Sequence, residues 1–186
     1  MDPADTPPGF ELDGLGQAAF EDQVAPLFEE APSFLARLAD ARPFGSWDDL
    51  FDRAREIAHA MPEADQIELV NAHPRLGAPP ASVSRLSFGE QGYERDAGAT
   101  VAADAARERD RLATDLEHLN RAYEARFGFR YCVFVAGRQR AALIPDMERA
   151  LAADRDAELT RALDAVIDIA RDRWRKGRSM SGTVVG

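Results

Sequence analysis

The sequence has little of what disulfide, metal and membrane sites require. Its 186 residues include one cysteine and three histidines. A single cysteine excludes an intramolecular disulfide, and no pair of histidines has the short spacing of zinc ligands, so we expect no metal site. No apolar stretch approaches the roughly twenty residues that a membrane helix needs, so we expect no membrane partner.

Positive charge is also scarce. The chain has 33 Asp and Glu residues against 23 Lys and Arg residues, which gives a net charge of −10. A surface of this sign repels phosphate groups, so we expect no nucleic-acid partner. The first residues are acidic and contain prolines in place of an apolar signal-peptide core, which indicates a cytoplasmic protein.

Most of the chain has the pattern of amphipathic helices. The hydrophobic fraction of 45% and the charged fraction of 30% are typical of a globular protein. The clearest apolar stripe steps by 4, 3, 4 and 4 residues through Leu112, Leu116, Leu119, Tyr123 and Phe127. We therefore predict an all-α fold, a single-domain helical bundle over residues 15–176, with flexible ends at residues 1–14 and 177–186.

One segment, about residues 129–136, does not have a helical pattern. It is continuously apolar and rich in β-branched and aromatic residues, which suits a buried strand. The rest of the chain offers no comparable run to pair with it, so we predict an extended segment that crosses the core of the bundle. Cys132, inside this segment, is predicted to be a buried and inert thiol. The backbone groups of such a segment are available to a ligand.

Two serines are predicted to cap helices. Ser46 is followed by Asp49 at the third helical position, and Ser87 is followed in the same way by Glu90. Gln91, next to Glu90, adds one hydrogen-bond donor and one acceptor. The motif by itself favours a structural cap, but a carboxylate in a first helical turn still has a free side, so a ligand site at Ser87 to Gln91 is compatible with the cap.

His73 is the histidine that most resembles a functional residue. Pro74 disfavours the helical conformation at position 73, so His73 is predicted to lie on a turn after a helix. The structural alternative is a histidine placed at a helix C-terminus because the helix dipole favours a cation there. His59 and His118 fall within amphipathic helices and are predicted to lie at the surface.

Taken in order, these motifs resemble the OHCU decarboxylase family, named for 2-oxo-4-hydroxy-4-carboxy-5-ureidoimidazoline (OHCU). The resemblance covers about residues 15–176. The matching motifs are Arg42-Pro43-Phe44, Ala72-His73-Pro74-Arg75-Leu76-Gly77, Ser87-x-x-Glu90-Gln91, Asn120-x-x-Tyr123-x-x-x-Phe127-Gly128-Phe129, Val133, Val135, Gly137, Glu158-x-x-x-Ala162-Leu163 and Ile169-x-x-x-Arg173.

The resemblance implies decarboxylation of OHCU to (S)-allantoin in urate degradation, by a homodimer without a cofactor. It assigns the catalytic roles to His73 as general acid or base and to Glu90, which would orient the imidazole or bind the substrate hydroxyl. The residues that it implies for substrate binding are Pro74, Ser87, Gln91, Phe129, Tyr131, Val133 and Arg173. For Tyr131 and Val133 the implied contact is made by the backbone after Phe129. Arg171 is an alternative to Arg173 as the substrate arginine.

The sequence departs from the family pattern after Phe129. The family often has Pro-Phe there, whereas this chain has Arg130-Tyr131. Arg130 is predicted either to form a surface ion pair or to bind an anionic substrate at the mouth of the pocket. The alternative functions are a paralogue that acts on a related ureido or imidazoline acid, and an inactive helical interaction module on the same scaffold.

Overall fold

The computed structural model describes residues 8–79, 81, 83–93 and 103–181. Throughout these residues the regular structure is helical and no strand occurs, which confirms the predicted all-α class. The chain divides into two compact units, one containing the described residues up to Ala72 and from Leu163 onward, the other containing the described part of His73–Ala162. No helix in the described ranges is long and apolar enough to cross a membrane.

The first unit is built mainly from the N-terminal helices. These are α1 (Pro8–Asp13), α2 (Gln17–Phe28), α3 (Pro32–Asp40), α4 (Trp47–Ala60) and α5 (Glu63–Ala72). The Ser46 hydroxyl caps α4 by accepting a hydrogen bond from the Asp49 N–H at 3.1 Å, as the sequence predicts. Phe28 packs at a ring-centre distance of 4.9 Å from Phe34 and 6.4 Å from Phe51, and all three rings are fully buried.

The second unit contains the predicted site segments. Its helices are α6 (Arg85–Glu90), α7 (Ala103–Phe127), a short 3₁₀ helix (Arg140–Leu143) and α8 (Ile144–Ala150). The apolar stripe of α7 is buried at Leu116, Leu119, Tyr123 and Phe127, as its spacing predicts.

Helix α9 (Arg155–Ser181) contributes its first turns to the second unit and the remainder to the first. Its apolar residues Leu159, Leu163, Val166, Ile167 and Ala170 are buried. The helix continues past residue 176, and α1 lies within residues 1–14. Both chain ends are thus helical over part of the ranges that were predicted to be flexible.

Candidate active site

His73 lies on a turn directly after helix α5. The helix ends at Ala72, because Pro74 disfavours a helical conformation for the residue that precedes it. The His73 residue is only 4% exposed. Residues 74–79, which follow, are not helical, so a buried imidazole is carried by an irregular loop that other groups must hold in place.

Gln91 connects this loop to the end of α6. Its side-chain oxygen accepts a hydrogen bond from the Gly77 N–H at 2.8 Å, and its side-chain nitrogen donates to the Arg75 carbonyl at 3.2 Å. Asn120, which is buried on α7, donates to the Leu76 carbonyl at 2.9 Å. Three consecutive residues of the loop are therefore fixed through their backbone by two side-chain amides.

Three further contacts fix the same loop. The Tyr93 hydroxyl donates to the Ala78 carbonyl at 2.5 Å. The guanidinium of Arg75 donates to the Glu124 carboxylate through two nitrogens, of which Nε is at 2.6 Å.

At Gly77 the backbone has φ +79°, and an added Cβ would lie 2.7 Å from Leu116 Cδ1. Glycine is needed at this position both for its backbone conformation and for the close packing against α7.

Helix α6 begins three residues earlier than the sequence predicted. Ser84 is its N-cap, with a hydroxyl that accepts from the Ser87 N–H at 3.2 Å. Ser87 is therefore buried within the helix, and Glu90 is its last residue. The predicted capping box of Ser87 and Glu90 is wrong, because Glu90 lies at the wrong end of α6 to reach an N-cap.

The guanidinium of Arg130 contacts the main chain of the loop that carries His73. Its Nη1 donates a hydrogen bond to the main-chain carbonyl of His73 at 3.1 Å. The side chain is half-buried. The residue that departs from the family pattern therefore contacts the backbone of the predicted catalytic histidine.

After a bend at Gly128 and Phe129, residues 130–135 have no helical or strand structure, and the aromatic rings of Phe129 and Tyr131 alternate with Arg130 as expected for an extended chain. The Phe129 and Tyr131 rings both pack edge-on against Tyr123, at centroid distances of 5.8 and 5.1 Å. Cys132 is buried and forms no disulfide, as predicted. No strand in the described residues pairs with this segment, so its backbone groups need other partners.

Arginine side chains supply partners for several carbonyls of this segment. Arg161 Nη1 donates to the Cys132 carbonyl at 2.9 Å, and Arg138 donates to the carbonyls of Phe134 and Val135 at 2.9 and 3.1 Å. In contrast, none of the described residues accepts a hydrogen bond from the N–H groups of Tyr131 or Val133. The segment thus has bound carbonyls, and the N–H groups of Tyr131 and Val133 can serve a ligand.

Arg173 lies in the first unit and is engaged with the end of α2. Its guanidinium donates to the carbonyls of Pro26 and Leu27, both at 3.2 Å, and to the Glu29 carboxylate at 2.8 Å. Its side chain is 1% exposed. Arg171, the alternative substrate arginine, forms an ion pair with the exposed Asp52 at 2.8 Å.

Described residues of the second unit line a larger and a smaller cavity. The larger, of about 600 Å³, has mainly apolar walls that include Ala78, Phe88 and Leu116, and no predicted site residue lines it. The smaller, of about 440 Å³, is lined by Tyr131 and Val133 together with charged side chains. Among the residues that the structure describes, no group of three His, Cys, Asp or Glu side chains is placed to hold a metal ion.

The sequence analysis assigned no role to several residues that hold the site in place. Asn120, Glu158 and Arg161 all hold positions in or beside buried helical stripes. A polar residue in an apolar stripe is the available sequence signal, because a buried polar side chain must find hydrogen-bond partners. The partners here are backbone carbonyls of irregular segments, which have no sequence pattern of their own.

The comparison with protein families gives a single family over most of the chain. The sequence model of the OHCU decarboxylase family matches residues 13–175. The 2-oxo-4-hydroxy-4-carboxy-5-ureidoimidazoline decarboxylase of Haloferax volcanii is 28% identical over 167 residues, covering 88% of this chain and 91% of that protein. The mouse (Mus musculus) protein of the same name is 28% identical over 163 residues, covering 88% of each chain.

Solved structures show the same fold. A crystal structure of OHCU decarboxylase in the presence of (S)-allantoin superposes with a TM-score of 0.63 at 21% identity, covering 85% of this chain and 98% of that one. A crystal structure of (S)-allantoin synthase gives a TM-score of 0.61 at 17% identity, covering 89% of this chain and 51% of that one.

Proposed function

Because this chain belongs to the OHCU decarboxylase family, we propose that it converts OHCU to (S)-allantoin in urate degradation, without a cofactor. The observation that carries the proposal is the connection made by Gln91. Through its two hydrogen bonds to the loop after His73, the segment containing Ser87 and Glu90 is fixed to the segment containing the histidine. The two motifs that contain the proposed catalytic residues, His73 and Glu90, are therefore joined by hydrogen bonds.

The substrate defines the groups that the reaction needs. Its name places the carboxylate and the hydroxyl on ring carbon C4 and the ureido group on C5. When the bond from C4 to the carboxylate breaks, CO2 leaves and the electron pair moves toward the C5=N bond, whose nitrogen takes up a proton. The C4 hydroxyl then loses its proton as a carbonyl forms, and C5 gains a proton on one face. Each turnover takes up one proton overall.

His73 is suited to the proton transfers. A histidine has an ordinary pKa near neutrality, so it can accept the hydroxyl proton and return a proton to C5. Glu90, at the end of α6, would orient the imidazole or bind the hydroxyl. A histidine held on one side of the planar intermediate would deliver the proton to one face of C5, which gives a single enantiomer.

The remaining residues of the family motif would bind the substrate. The Tyr131 and Val133 N–H groups, which no described residue uses, suit the negative charge that develops as CO2 leaves. Arg173 is proposed as a distal contact for an anionic group. The other proposed contacts are Pro74, Ser87, Gln91 and Phe129. We further propose a homodimer in the cytoplasm; light scattering after size exclusion tests the dimer.

The test is a circular-dichroism assay with freshly prepared OHCU. The protein should accelerate the appearance of the signal of (S)-allantoin, while the uncatalysed reaction gives no preferred sign. The His73→Asn variant should lower kcat by about 10²–10⁴-fold, because that is the usual contribution of a general acid or base. His118→Asn, at an exposed position of α7, is the matched control and should retain full activity. Formation of racemic allantoin at the uncatalysed rate would contradict the proposal.

A further inference from the structure

A buried ion pair lies in the first turns of α9. One oxygen of Glu158, Oε1, accepts hydrogen bonds from Arg161 Nε at 2.8 Å and from Arg161 Nη2 at 2.6 Å. The same oxygen accepts from the Tyr123 hydroxyl of α7 at 2.7 Å. The Glu158 side chain is 3% exposed. The two hydrogen bonds to Glu158 fix the orientation of the Arg161 guanidinium, and the bond from Tyr123 fixes the Glu158 carboxylate.

The remaining nitrogen of Arg161 bonds to the backbone of the extended segment. Nη1 donates to the Cys132 carbonyl at 2.9 Å, and the guanidinium carbon lies 5.0 Å from the centre of the Tyr131 ring. An arginine can make both sets of bonds at once because its planar fork carries five N–H donors. Arg161 therefore connects the buried Glu158 carboxylate to the peptide group between Cys132 and Val133.

The geometry of a trans peptide determines what this contact does. In the planar group that joins Cys132 to Val133, the C=O and the N–H point in opposite directions. Because the Cys132 carbonyl points to Arg161, the Val133 N–H points away from it. Along an extended chain the Tyr131 N–H lies on the same edge as the Val133 N–H. No described residue accepts a hydrogen bond from either of these N–H groups.

We propose that Arg161 is a positioning residue that aims the Val133 N–H at the substrate, an inference that rests on the proposed function. The guanidinium holds the carbonyl of the peptide, Glu158 and Tyr123 hold the guanidinium, and the N–H is thereby preorganised for a developing negative charge. Arg161 acts through this peptide and does not touch the substrate.

Arg161 and Tyr123 keep their charge states within an ordinary assay range. Burial lowers the pKa of Arg161, but the hydrogen bonds and charge of Glu158 outweigh it, so the pKa is raised and the guanidinium stays charged. Burial and the acceptor Glu158 together raise the pKa of Tyr123 far above its usual value, so its hydroxyl remains a donor.

The experiment compares Arg161→Lys and Arg161→Met with Arg149→Met. Arg149 lines the same small cavity and is paired with Asp146, but it is 73% exposed and no bond joins it to the extended segment. For each variant we would measure kcat and KM for OHCU, the melting temperature, and hydrogen–deuterium exchange of a peptide spanning residues 129–135.

In Arg161→Lys the ammonium can keep its ion pair with Glu158 but lacks the fork that also reaches the carbonyl. We expect kcat to fall about 10- to 100-fold with KM changed less than about threefold, because misaiming a preorganised donor affects mainly the transition state. The melting temperature should stay near the wild-type value, and exchange of the peptide should become faster. Arg161→Met should show the same loss or a larger one, and Arg149→Met should match the wild type.

Two results would overturn the proposal. One is an Arg161→Lys protein with wild-type kcat and wild-type exchange. The other is a parallel change of kcat and melting temperature in Arg161→Met and Arg161→Lys, with both values low in one variant and restored in the other. A purely structural role predicts this result. If Arg161→Met fails to fold, the lysine variant alone decides between these outcomes. A wild-type protein without activity on OHCU contradicts the proposed function, whereas the exchange measurement still tests the positioning of the peptide.

Discussion

Arg130 contacts the predicted catalytic histidine, His73, at its main-chain carbonyl. The hydrogen bond of 3.1 Å from Arg130 Nη1 to the His73 carbonyl joins the extended segment to the loop that carries the imidazole. Like Arg161, Arg130 bonds a main-chain carbonyl of an irregular segment through its guanidinium. This contact suggests a positioning role for Arg130, in addition to the substrate contact and the surface ion pair that the sequence suggested.

Replacing Arg130 should therefore affect catalysis more than binding. We expect Arg130→Met to lower kcat by about tenfold, since small displacements of a catalytic group are costly, with little change in KM. Arg130→Lys keeps one donor and should recover part of the rate. Steady-state kinetics with OHCU at low salt check both variants. A raised KM at unchanged kcat would instead support direct contact between Arg130 and an anionic substrate.

At the scale of single elements, helix α6 shows how a short motif can mislead. Ser84 and Ser87 are three residues apart, and Glu90 is three residues after Ser87. Either serine can cap a helix by its type alone, so the motif does not determine which of them starts α6. The structure selects Ser84, and Ser87 is buried inside the helix. The cost of burying the Ser87 side chain is consistent with a site role for it.

The cap at Ser84 gives a stability prediction that separates the two serines. Ser84→Ala should lower the free energy of unfolding by about 0.5–2 kcal/mol, the usual cost of losing an N-cap. Ser84→Asp should retain most of the stability, because aspartate caps equally well and suits the positive end of the helix dipole. Urea unfolding of the three proteins checks this. Equal stability of the alanine variant and the wild type would show that α6 does not depend on this cap.

For the whole molecule, the period of apolar residues was sufficient to predict the all-α class and the buried faces of α7 and α9. The spacing of Ser46 and Asp49 predicted the cap of α4, and the continuous apolar run predicted the segment without helix after Phe129. The way in which that segment is stabilised could not be predicted. Its carbonyls are bound by Arg138 and Arg161, and an arginine that bonds a distant backbone carbonyl looks in sequence like any surface arginine.

The candidate site shows the same division. His73 and the residues near Glu90 could be named from local motifs and from the family resemblance. The hydrogen bonds that fix the loop after His73 come from Gln91, Tyr93 and Asn120, on other segments of the chain. Such contacts depend on how the chain folds, so no local pattern of residues indicates them.

The buried tyrosines make the stability of the whole molecule sensitive to high pH. Burial raises the pKa of Tyr123, and the hydrogen bond to Glu158 raises it further; burial also raises the pKa of Tyr131. In the unfolded chain both hydroxyls lose their protons near pH 10, the ordinary value for tyrosine. Above that pH the unfolded state binds fewer protons than the native state, so the free energy of unfolding must fall as pH rises.

Urea unfolding between pH 9 and pH 11 measures this fall, and the sequence favours a clear result. The chain contains a single lysine, Lys176, so few other groups titrate in the same range. Tyr123→Phe removes one of the two shifted hydroxyls, and its stability should therefore decline less steeply with pH than that of the wild type, even though its stability at pH 9 is lower. Parallel curves for the two proteins would show that Tyr123 titrates equally in the native and unfolded states, contrary to its burial beside Glu158.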